Sequence, residues 1–283
     1  MPQDKEGIIE RMDVPATVSK TNDMDGLTLS SDESFRDWAN LNGFPGDGTG
    51  SSPFIIEGMV FSNYSSPPRV LVDIVETWFV FSECIFMSND SRPALSTLGI
   101  ANGVFSGCGF LGVVEYNSSS NCVFHDSQFL FPVQAIESSD SVFYSNVFDD
   151  EANVYVGSWG IPSNNVSFFE NEFYGELHLA DATNCYVINN IFYWQAIDDG
   201  SDNYWDGNDY FNYDGTGPYE IPGLAGSVDD NPFGRPGTTT EWPPPLPPPP
   251  NGDFGIDSLL FQVIIMELVI IAIILFTRRQ RVQ

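Results

Sequence analysis

A short pattern of apolar and polar residues recurs along most of the chain. Stretches such as NGVFSGCGFLG, NCVFHDSQFLF and DSVFYSNVFDD each hold an apolar pair, then a small polar residue two places before a phenylalanine. These phenylalanines mark the repeat, and neighbouring markers are separated by 19 residues or by 24 to 25. The markers are Phe61, Phe86, Phe110, Phe129, Phe148, Phe173, Phe192 and Phe211.

Similar residues also recur at three fixed distances before the markers, and we call each such set a column. Five residues before them stand Ile56, Phe81, Phe105, Phe124, Phe143, Phe168 and Val187, with Asp206 breaking the run. Two residues before them stand Cys84, Cys108, Ser127, Asn146, Asn171 and Asn190, and eight before them stand Asn102, Asn121, Asp140, Asn165, Asn184 and Asn203. Agreement in several columns identifies an internal repeat, the signature of a stacked architecture.

The repeat predicts strands and not helices. A unit of 19 residues is too short for two helices and a turn, and runs of Val, Ile, Phe and Tyr between Asn, Ser, Asp and Gly indicate short strands. Stacking identical units buries what one strand cannot. We therefore predict an all-β fold, a parallel β-helix of about eight coils over 50–212, right-handed as parallel crossovers are. The markers should face inward, and the asparagines should stack and bond to one another at the bend.

The C-terminal region predicts a membrane anchor. Residues 259–276 are apolar apart from Gln262 and Glu267, and a helix of this length spans about 27 Å, enough for a bilayer core. The basic RRQR that follows indicates the cytoplasmic side. The predicted order is a disordered segment (1–30), a β-helix domain with caps (31–236), a Pro-rich stalk (237–256), a transmembrane helix (257–277) and a cytoplasmic basic tail (278–283).

The start of the chain leaves the topology open. Residues 1–30 contain no apolar signal-peptide core. A signal already removed, a misplaced gene start and tail-anchored insertion would each account for this, and the last would put the domain in the cytoplasm. We favour a single-pass cell-membrane protein with an extracellular β-helix, since four glycosylation sequons (Asn63, Asn89, Asn117 and Asn165) fall in predicted loops and turns.

Charge restricts the partners. The chain has 39 acidic and 10 basic residues, a net charge of −29, which argues against nucleic acid, whose phosphates are bound by Lys and Arg. The excess indicates a solvated acidic surface in salty or divalent-rich surroundings, or a specific cation-binding role.

The four cysteines leave one question open. Cys84 and Cys108 share a column in consecutive coils, so their Cα atoms should lie about 5 Å apart, within disulfide range. Either a disulfide or two stacked buried thiols would fit. Metal-ligand spacings of Cys or His are absent from the sequence, which disfavours zinc.

Two flanking segments carry a family resemblance. FRDWANLNGFPGDGTGSSPFIIEGMVF (35–61) and NYWDGNDYFNYDGTGPYEIPG (203–223) resemble the opening and closing segments of archaeal surface proteins of the right-handed β-helix, NosD-like class. That class belongs to a wider set of carbohydrate-binding and sugar-hydrolase β-helices. The resemblance implies a β-helix over about 35–233 and a carbohydrate-related role. The namesake's role in copper-site maturation is not expected, because the only histidines are His125 and His178.

Two groups of acids are candidate sites. Asp126 and Glu170 share an outward column two coils apart, about 9.6 Å between backbones, near the separation of inverting glycoside hydrolases; Asp149 lies on the coil between. The second group could hold Ca²⁺, which prefers many oxygen ligands, although turn formation and capping explain it equally well. Its members are Asp198, Asp199, Asp202, Asp206 and Asp209.

Two functions follow. The favoured one is a membrane-anchored extracellular β-helix with a non-catalytic binding, adhesion or envelope-structural role toward glycans or envelope proteins, through Tyr, Trp and Asn on the coil faces. The alternative is a membrane-anchored polysaccharide hydrolase that uses the Asp126/Glu170 face. Ca²⁺ is the only cofactor considered, and nucleic acid is not an expected partner.

Overall fold

Three parallel β-sheets make up the fold. The computed structural model describes residues 22–25, 27–63, 70–73, 75–88, 93–158 and 160–233. Within these residues every pair of strands is parallel except the last, Tyr219–Glu220 with Val228–Asp229. The prediction of an all-β fold of stacked parallel strands is confirmed.

The strands fall into sheets I, II and III. Sheet I contains β1 (Asn22–Asp25), β4 (Met59–Asn63), β7 (Ile85–Ser88), β10 (Gly109–Leu111), β13 (Gln128–Phe129), β16 (Val147–Phe148), β19 (Glu172–Phe173), β23 (Ile191–Phe192) and β26 (Asp209–Tyr210). Sheet II contains β2 (Leu27–Leu29), β5 (Val70–Asp73), β8 (Leu95–Leu98), β11 (Val114–Asn117), β14 (Val133–Ile136), β17 (Val154–Val156), β20 (Leu177–Leu179) and β24 (Ala196–Asp198). Sheet III contains β3 (Phe54–Glu57), β6 (Phe79–Ser82), β9 (Gly103–Ser106), β12 (Val123–His125), β15 (Ser139–Tyr144), β18 (Ser163–Phe169), β21 (Ala182–Thr183), β22 (Tyr186–Ile188), β25 (Tyr204–Asp206), β27 (Tyr219–Glu220) and β28 (Val228–Asp229).

The chain passes through the three sheets in turn. From β3 onward it visits sheet III, then sheet I, then sheet II, and each strand pairs with the equivalent strand of the next coil. Every coil therefore offers three faces, and a residue type recurring at one position of the repeat forms a column along one face.

The N-terminal end of the coils begins earlier than predicted. Residues 1–30 were expected to be disordered, yet β1 and β2 lie within them. Leu27 and Leu29 are buried on either side of the exposed Thr28, which is the alternation that half-buried strands show. Helix α1 (Asp32–Leu41) follows, capped by the Ser31 side chain, and buries Phe35 and Ala39 against the core.

Stacked aromatic rings fill the interior. The marker phenylalanines pair coil to coil, with ring centroids 4.6 Å apart for Phe110 and Phe129 and 4.7 Å for Phe129 and Phe148. The column five residues earlier stacks beside it, as Phe105 and Phe124 do at 4.6 Å. The predicted inward orientation of the markers is confirmed up to Phe192, since these rings are buried.

The last coil is one residue shorter than the marker assignment assumed. Tyr210, and not Phe211, pairs with Phe192 and is buried. With this shift Trp205 takes the position given to Asp206 and faces the core. The residue with a left-handed backbone conformation that stands eight positions before the inward aromatic residue is Asp202 in this coil, with φ of 56°, and not Asn203. Phe211 matched the pattern by residue type alone, whereas burial selects the tyrosine before it.

Buried asparagines form a hydrogen-bonded column at the bend between sheets III and I, which we call the asparagine ladder (Asn146, Asn171, Asn190 and Asn208). In each step the backbone N–H and Nδ2 of one asparagine donate to Oδ1 of the next, at 2.9 and 3.0 Å from Asn146 to Asn171 and 2.9 Å for both from Asn171 to Asn190. The predicted ladder is confirmed and continues one coil further, to Asn208.

The thiol question is resolved in favour of unbonded cysteines. Cys84 and Cys108 occupy the same bend column, and both are buried free thiols. Burial and the neighbouring Cys84 raise the pKa of Cys108 well above its ordinary value.

The membrane predictions fall elsewhere in the chain. The Pro-rich stalk, the helix 257–277 and the basic tail all lie outside the described residues. In the part of the chain that the structure describes, no helix is both long and apolar enough to cross a bilayer.

Candidate functional site: an exposed aromatic ridge and its acidic surroundings

Four exposed aromatic side chains lie on the last three coils, each within two residues of the end of a sheet I strand. Their exposed fractions are 41% for Tyr174, 44% for Tyr193, 56% for Trp194 and 44% for Phe211. We call these four residues the aromatic ridge. Tyr174, Tyr193 and Phe211 each follow the inward residue of a sheet I strand directly, so alternation along the strand turns them outward.

The rings of the ridge are ordered by the coil repeat. Tyr174 and Tyr193 stack face to face with centroids 4.3 Å apart and an interplanar angle of 11°. Trp194 and Phe211 are also nearly parallel, at 6.3 Å and 9°. Because one coil lies about 4.8 Å above the next, the equal positions of Tyr174 and Tyr193 bring their flat rings into register.

A carboxylate adjoins the ridge. The Tyr174 hydroxyl donates to Glu172 Oε2 at 3.2 Å. Partial burial, then Tyr193 and Glu172, raise the pKa of Tyr174 to about 12. The tyrosine therefore stays protonated at neutral pH and remains a hydrogen-bond donor at the edge of the ridge.

The predicted catalytic acids share one bend. Asp126 and Glu170 both adopt left-handed backbone conformations, with φ of 51° and 55°, and Ser145 occupies the equivalent position on the coil between them. This bend position is left-handed in every coil, at Gly58, Glu83, Gly107, Asp126, Ser145, Glu170, Asn189 and Gly207. The residues there shape the turn between sheets III and I.

The surroundings of these acids are open. The Asp126 side chain is 61% exposed and pairs with Nδ1 of the buried His125 at 2.9 Å; Glu170 is also exposed. Asp149 lies after β16, at the opposite end of the sheet I strand from the bend. The structure thus places two of the three acids in one outward column and the third elsewhere. Their catalytic role stays a prediction.

Asp198 is buried at the C-terminal end of the coils. Its Oδ1 accepts hydrogen bonds from the Gly200 N–H and Asn203 Nδ2, both at 2.9 Å. Its Oδ2 accepts from Trp205 Nε1 at 2.9 Å and the Ser227 hydroxyl at 2.7 Å. Four neutral donors therefore surround this carboxylate, which ties the closing segment to the last coils.

The other four predicted calcium ligands are distributed over several contacts. Asp199 accepts from His178 Nε2 at 2.9 Å and from the Leu224 N–H at 2.7 Å, and the His178 hydrogen bond is the main cause that lowers its pKa. Asp206 accepts from Asn231. Asp202 lies at a left-handed turn, and Asp209 pairs with Ile191 in sheet I.

No group of three or more His, Cys, Asp or Glu is arranged to hold a metal ion within the residues that the structure describes. The capping explanation accounts for the contacts of Asp198, Asp199 and Asp206. Ca²⁺ binding by the five aspartates stays a prediction.

The described surface is almost without basic groups. Arg36, on α1, is the only Lys or Arg among the described residues, and its Nε donates to Thr77. The aromatic ridge lies at the other end of the coils, on coils that carry no Lys or Arg in the described part of the chain. A negatively charged ligand would meet repulsion there.

Sequence reasoning expected Tyr and Trp on the coil faces but did not locate the ridge. The available signal was an aromatic residue directly after the inward position in three successive coils. The assignment of Phe211 as an inward marker concealed it. In comparisons with known proteins, no family model, no curated protein and no solved structure matches the chain.

Proposed function

We propose that this protein is a non-catalytic binding or adhesion protein of the cell surface, a right-handed β-helix of the NosD-like type held at the membrane by a C-terminal helix at 257–277. The ligand is a glycan or an envelope protein, and the aromatic ridge is the binding face. The observation that carries the proposal is the ordered exposure of Tyr174, Tyr193 and Trp194. Exposed aromatic side chains with a polar rim are typical of recognition surfaces.

The acids favour binding over hydrolysis. A hydrolase needs one carboxyl group kept protonated by its surroundings and one kept ionised, both within reach of the substrate. Asp126 and Glu170 are both exposed to solvent at a turn, and neither carboxyl group is enclosed in a cleft that would hold a substrate against it. The turn geometry gives them a structural role that requires no chemistry.

The test combines binding with turnover. Purified full-length protein is screened on arrays of neutral and acidic glycans and against isolated envelope proteins, and released reducing ends are measured for every glycan. We expect binding without products, unchanged in an Asp126→Asn, Glu170→Gln double variant. Turnover in the wild type that disappears in the double variant would overturn the proposal in favour of the hydrolase.

Topology is tested separately. Protease added to intact cells should release a soluble fragment that contains the β-helix. Complete protection of the domain would contradict surface display and support tail-anchored insertion facing the cytoplasm.

A further inference from the structure

The shape of the aromatic ridge restricts the ligand more than its composition does. A sugar ring stacks on a free aromatic face, but the Tyr174 and Tyr193 rings, 4.3 Å apart, cover each other's facing sides. Stacked in this way, the two rings leave their edges and their two outer faces for a ligand. Such a surface suits a ligand with small rigid apolar rings at a regular spacing.

The spacing of the coils matches one peptide conformation. A polyproline II helix has three residues per turn and rises about 3.1 Å per residue, so the same face recurs about every 9 Å. Two coils of stacked parallel strands advance about 9.6 Å. Tyr174 and Phe211 lie at equal positions two coils apart, so successive proline faces of an extended peptide would meet equal positions along the ridge.

Hydrogen bonding fits the same ligand. A proline-rich peptide has few backbone N–H groups and therefore offers mainly carbonyl acceptors. The ridge contains donors, because Trp194 is its most exposed ring and an indole N–H only donates. Docking of proline-rich segments in aromatic-lined grooves is a recurring mode of peptide recognition, helped by the low entropy of the preformed helix.

The acidic surface near the ridge predicts the charge of the partner. Glu172 lies in the strand that precedes Tyr174, and Glu170 is exposed at the bend before it. The only Lys or Arg of the described residues, Arg36, belongs to α1 at the other end of the coils. A partner with Arg or Lys beside its prolines would complement this acidic surface, whereas an acidic partner would be repelled.

We propose that the aromatic ridge binds a basic proline-rich segment of another protein in the polyproline II conformation, with successive proline faces against Tyr174 and Phe211, contacts to Tyr193 and Trp194 on the coil between, and a basic side chain near Glu172. This rests on the proposed binding function and names its partner class.

Three synthetic peptides test the proposal against the full chain in detergent, by calorimetric titration. The first is two arginines followed by PPPLPPPP. Its proline-rich part has the same sequence as residues 243–250 of this chain. The second replaces the arginines with glutamates, and the third keeps the arginines but replaces the prolines with Gly-Ser repeats. We expect the first peptide to bind at least about tenfold more tightly than either of the others.

Variants locate the site. Trp194→Ala should weaken the first peptide at least about tenfold, as for a central aromatic contact, and Glu172→Gln should weaken it less and reduce its salt dependence. Tyr204→Ala is the matched control, since Tyr204 is 39% exposed on sheet III, away from the ridge. It should leave binding unchanged. Circular dichroism of each variant checks that the fold is kept.

Other outcomes would overturn the inference. Equal binding of the first and third peptides would show charge attraction alone, and insensitivity to Trp194→Ala would place the peptide elsewhere. A glycan that binds and is lost in Trp194→Ala, with no peptide binding, would remove this partner class but keep the proposed function. Concentration-dependent self-association abolished by Trp194→Ala would identify a second copy of the chain as the occupant. Failure of every glycan, envelope protein and peptide would remove both proposals.

Discussion

Asn208 donates both its backbone N–H and its side-chain Nδ2 to the carboxylate of Asp229, at 3.0 and 2.9 Å. The asparagine ladder therefore ends on a buried carboxylate, which also accepts from the Gly207 N–H and the Tyr210 hydroxyl. Each ladder asparagine donates its N–H groups toward the next coil and accepts with its oxygen from the preceding one, so the last step requires an acceptor with no coil beyond it. A carboxylate, which only accepts, completes the series.

The ladder predicts a strong local effect on stability. Asn171→Leu removes the acceptor of the buried Asn146 N–H and of one Nδ2 hydrogen, and it removes the side-chain donor to the Phe143 carbonyl. An unsatisfied buried polar group costs about 1–3 kcal/mol, so the free energy of unfolding should fall by several kcal/mol. Asn164→Leu, at an exposed position, is the control and should change it far less. Equal urea midpoints for the two variants would contradict the ladder.

The aromatic core predicts a contrast between two phenylalanines. Phe129 is buried between Phe110 and Phe148, so Phe129→Ala should destabilise the fold by about 3–5 kcal/mol through lost burial and a cavity. Phe211→Ala, outside the core at 44% exposure, should cost much less. Thermal unfolding of both variants measures the difference. A larger loss for Phe211→Ala would restore it as the inward marker of the last coil.

The pH dependence should differ between two aspartates of the closing segment. The His178 hydrogen bond lowers the pKa of Asp199 below 3.8, so its contribution to stability is present above that value and is lost as the pH falls through the folded pKa. Burial raises the pKa of Asp229, so its contribution has the opposite sign and diminishes as the pH rises above 3.8.

Unfolding of Asp199→Asn and Asp229→Asn relative to wild type, between about pH 3 and pH 7, measures both effects. The loss caused by Asp199→Asn should shrink toward acid pH. A loss independent of pH would contradict the hydrogen bond between Asp199 and His178.

Salt should stabilise the fold. The net charge of −29 produces mutual repulsion that is greater in the compact state than in the unfolded chain, and ions screen it. The melting temperature should therefore rise with sodium chloride and reach most of its change once the Debye length falls to about 3 Å, near 1 M. A melting temperature that falls over this range would contradict the acidic surface as a source of instability.

Much of the fold could be predicted because equivalent positions of successive coils are buried, and burial restricts which residue types can occupy them. Phe105, Phe124 and Phe143 recur since each occupies the same interior space, and Asn171 and Asn190 recur since each satisfies the same bend. The sequence left the register uncertain only in the last coil, which is one residue shorter than the shortest of the others. Tyr210 and Phe211 are both aromatic there, and only packing distinguishes them.

The candidate site was less predictable. An outward position tolerates many residue types, so the column shared by Tyr174 and Tyr193 continues as Asp149 and Leu130 on the earlier coils. The closing segment posed a related difficulty. Its acidic composition fitted a cation site and a cap equally well, and the donors that reach Asp198 and Asp229, Ser227 and Asn208, come from distant parts of the sequence.

We propose that the aromatic ridge binds a ligand and that the protein does not turn it over. The most direct measurement compares the dissociation constant and product formation for the best ligand of the glycan, envelope-protein and peptide panel, in wild type and in a Tyr193→Ala, Trp194→Ala double variant. We expect at least about a tenfold loss of affinity, an unchanged melting temperature and no product from either protein. Undiminished binding in the double variant, or product formed by the wild type, would contradict it.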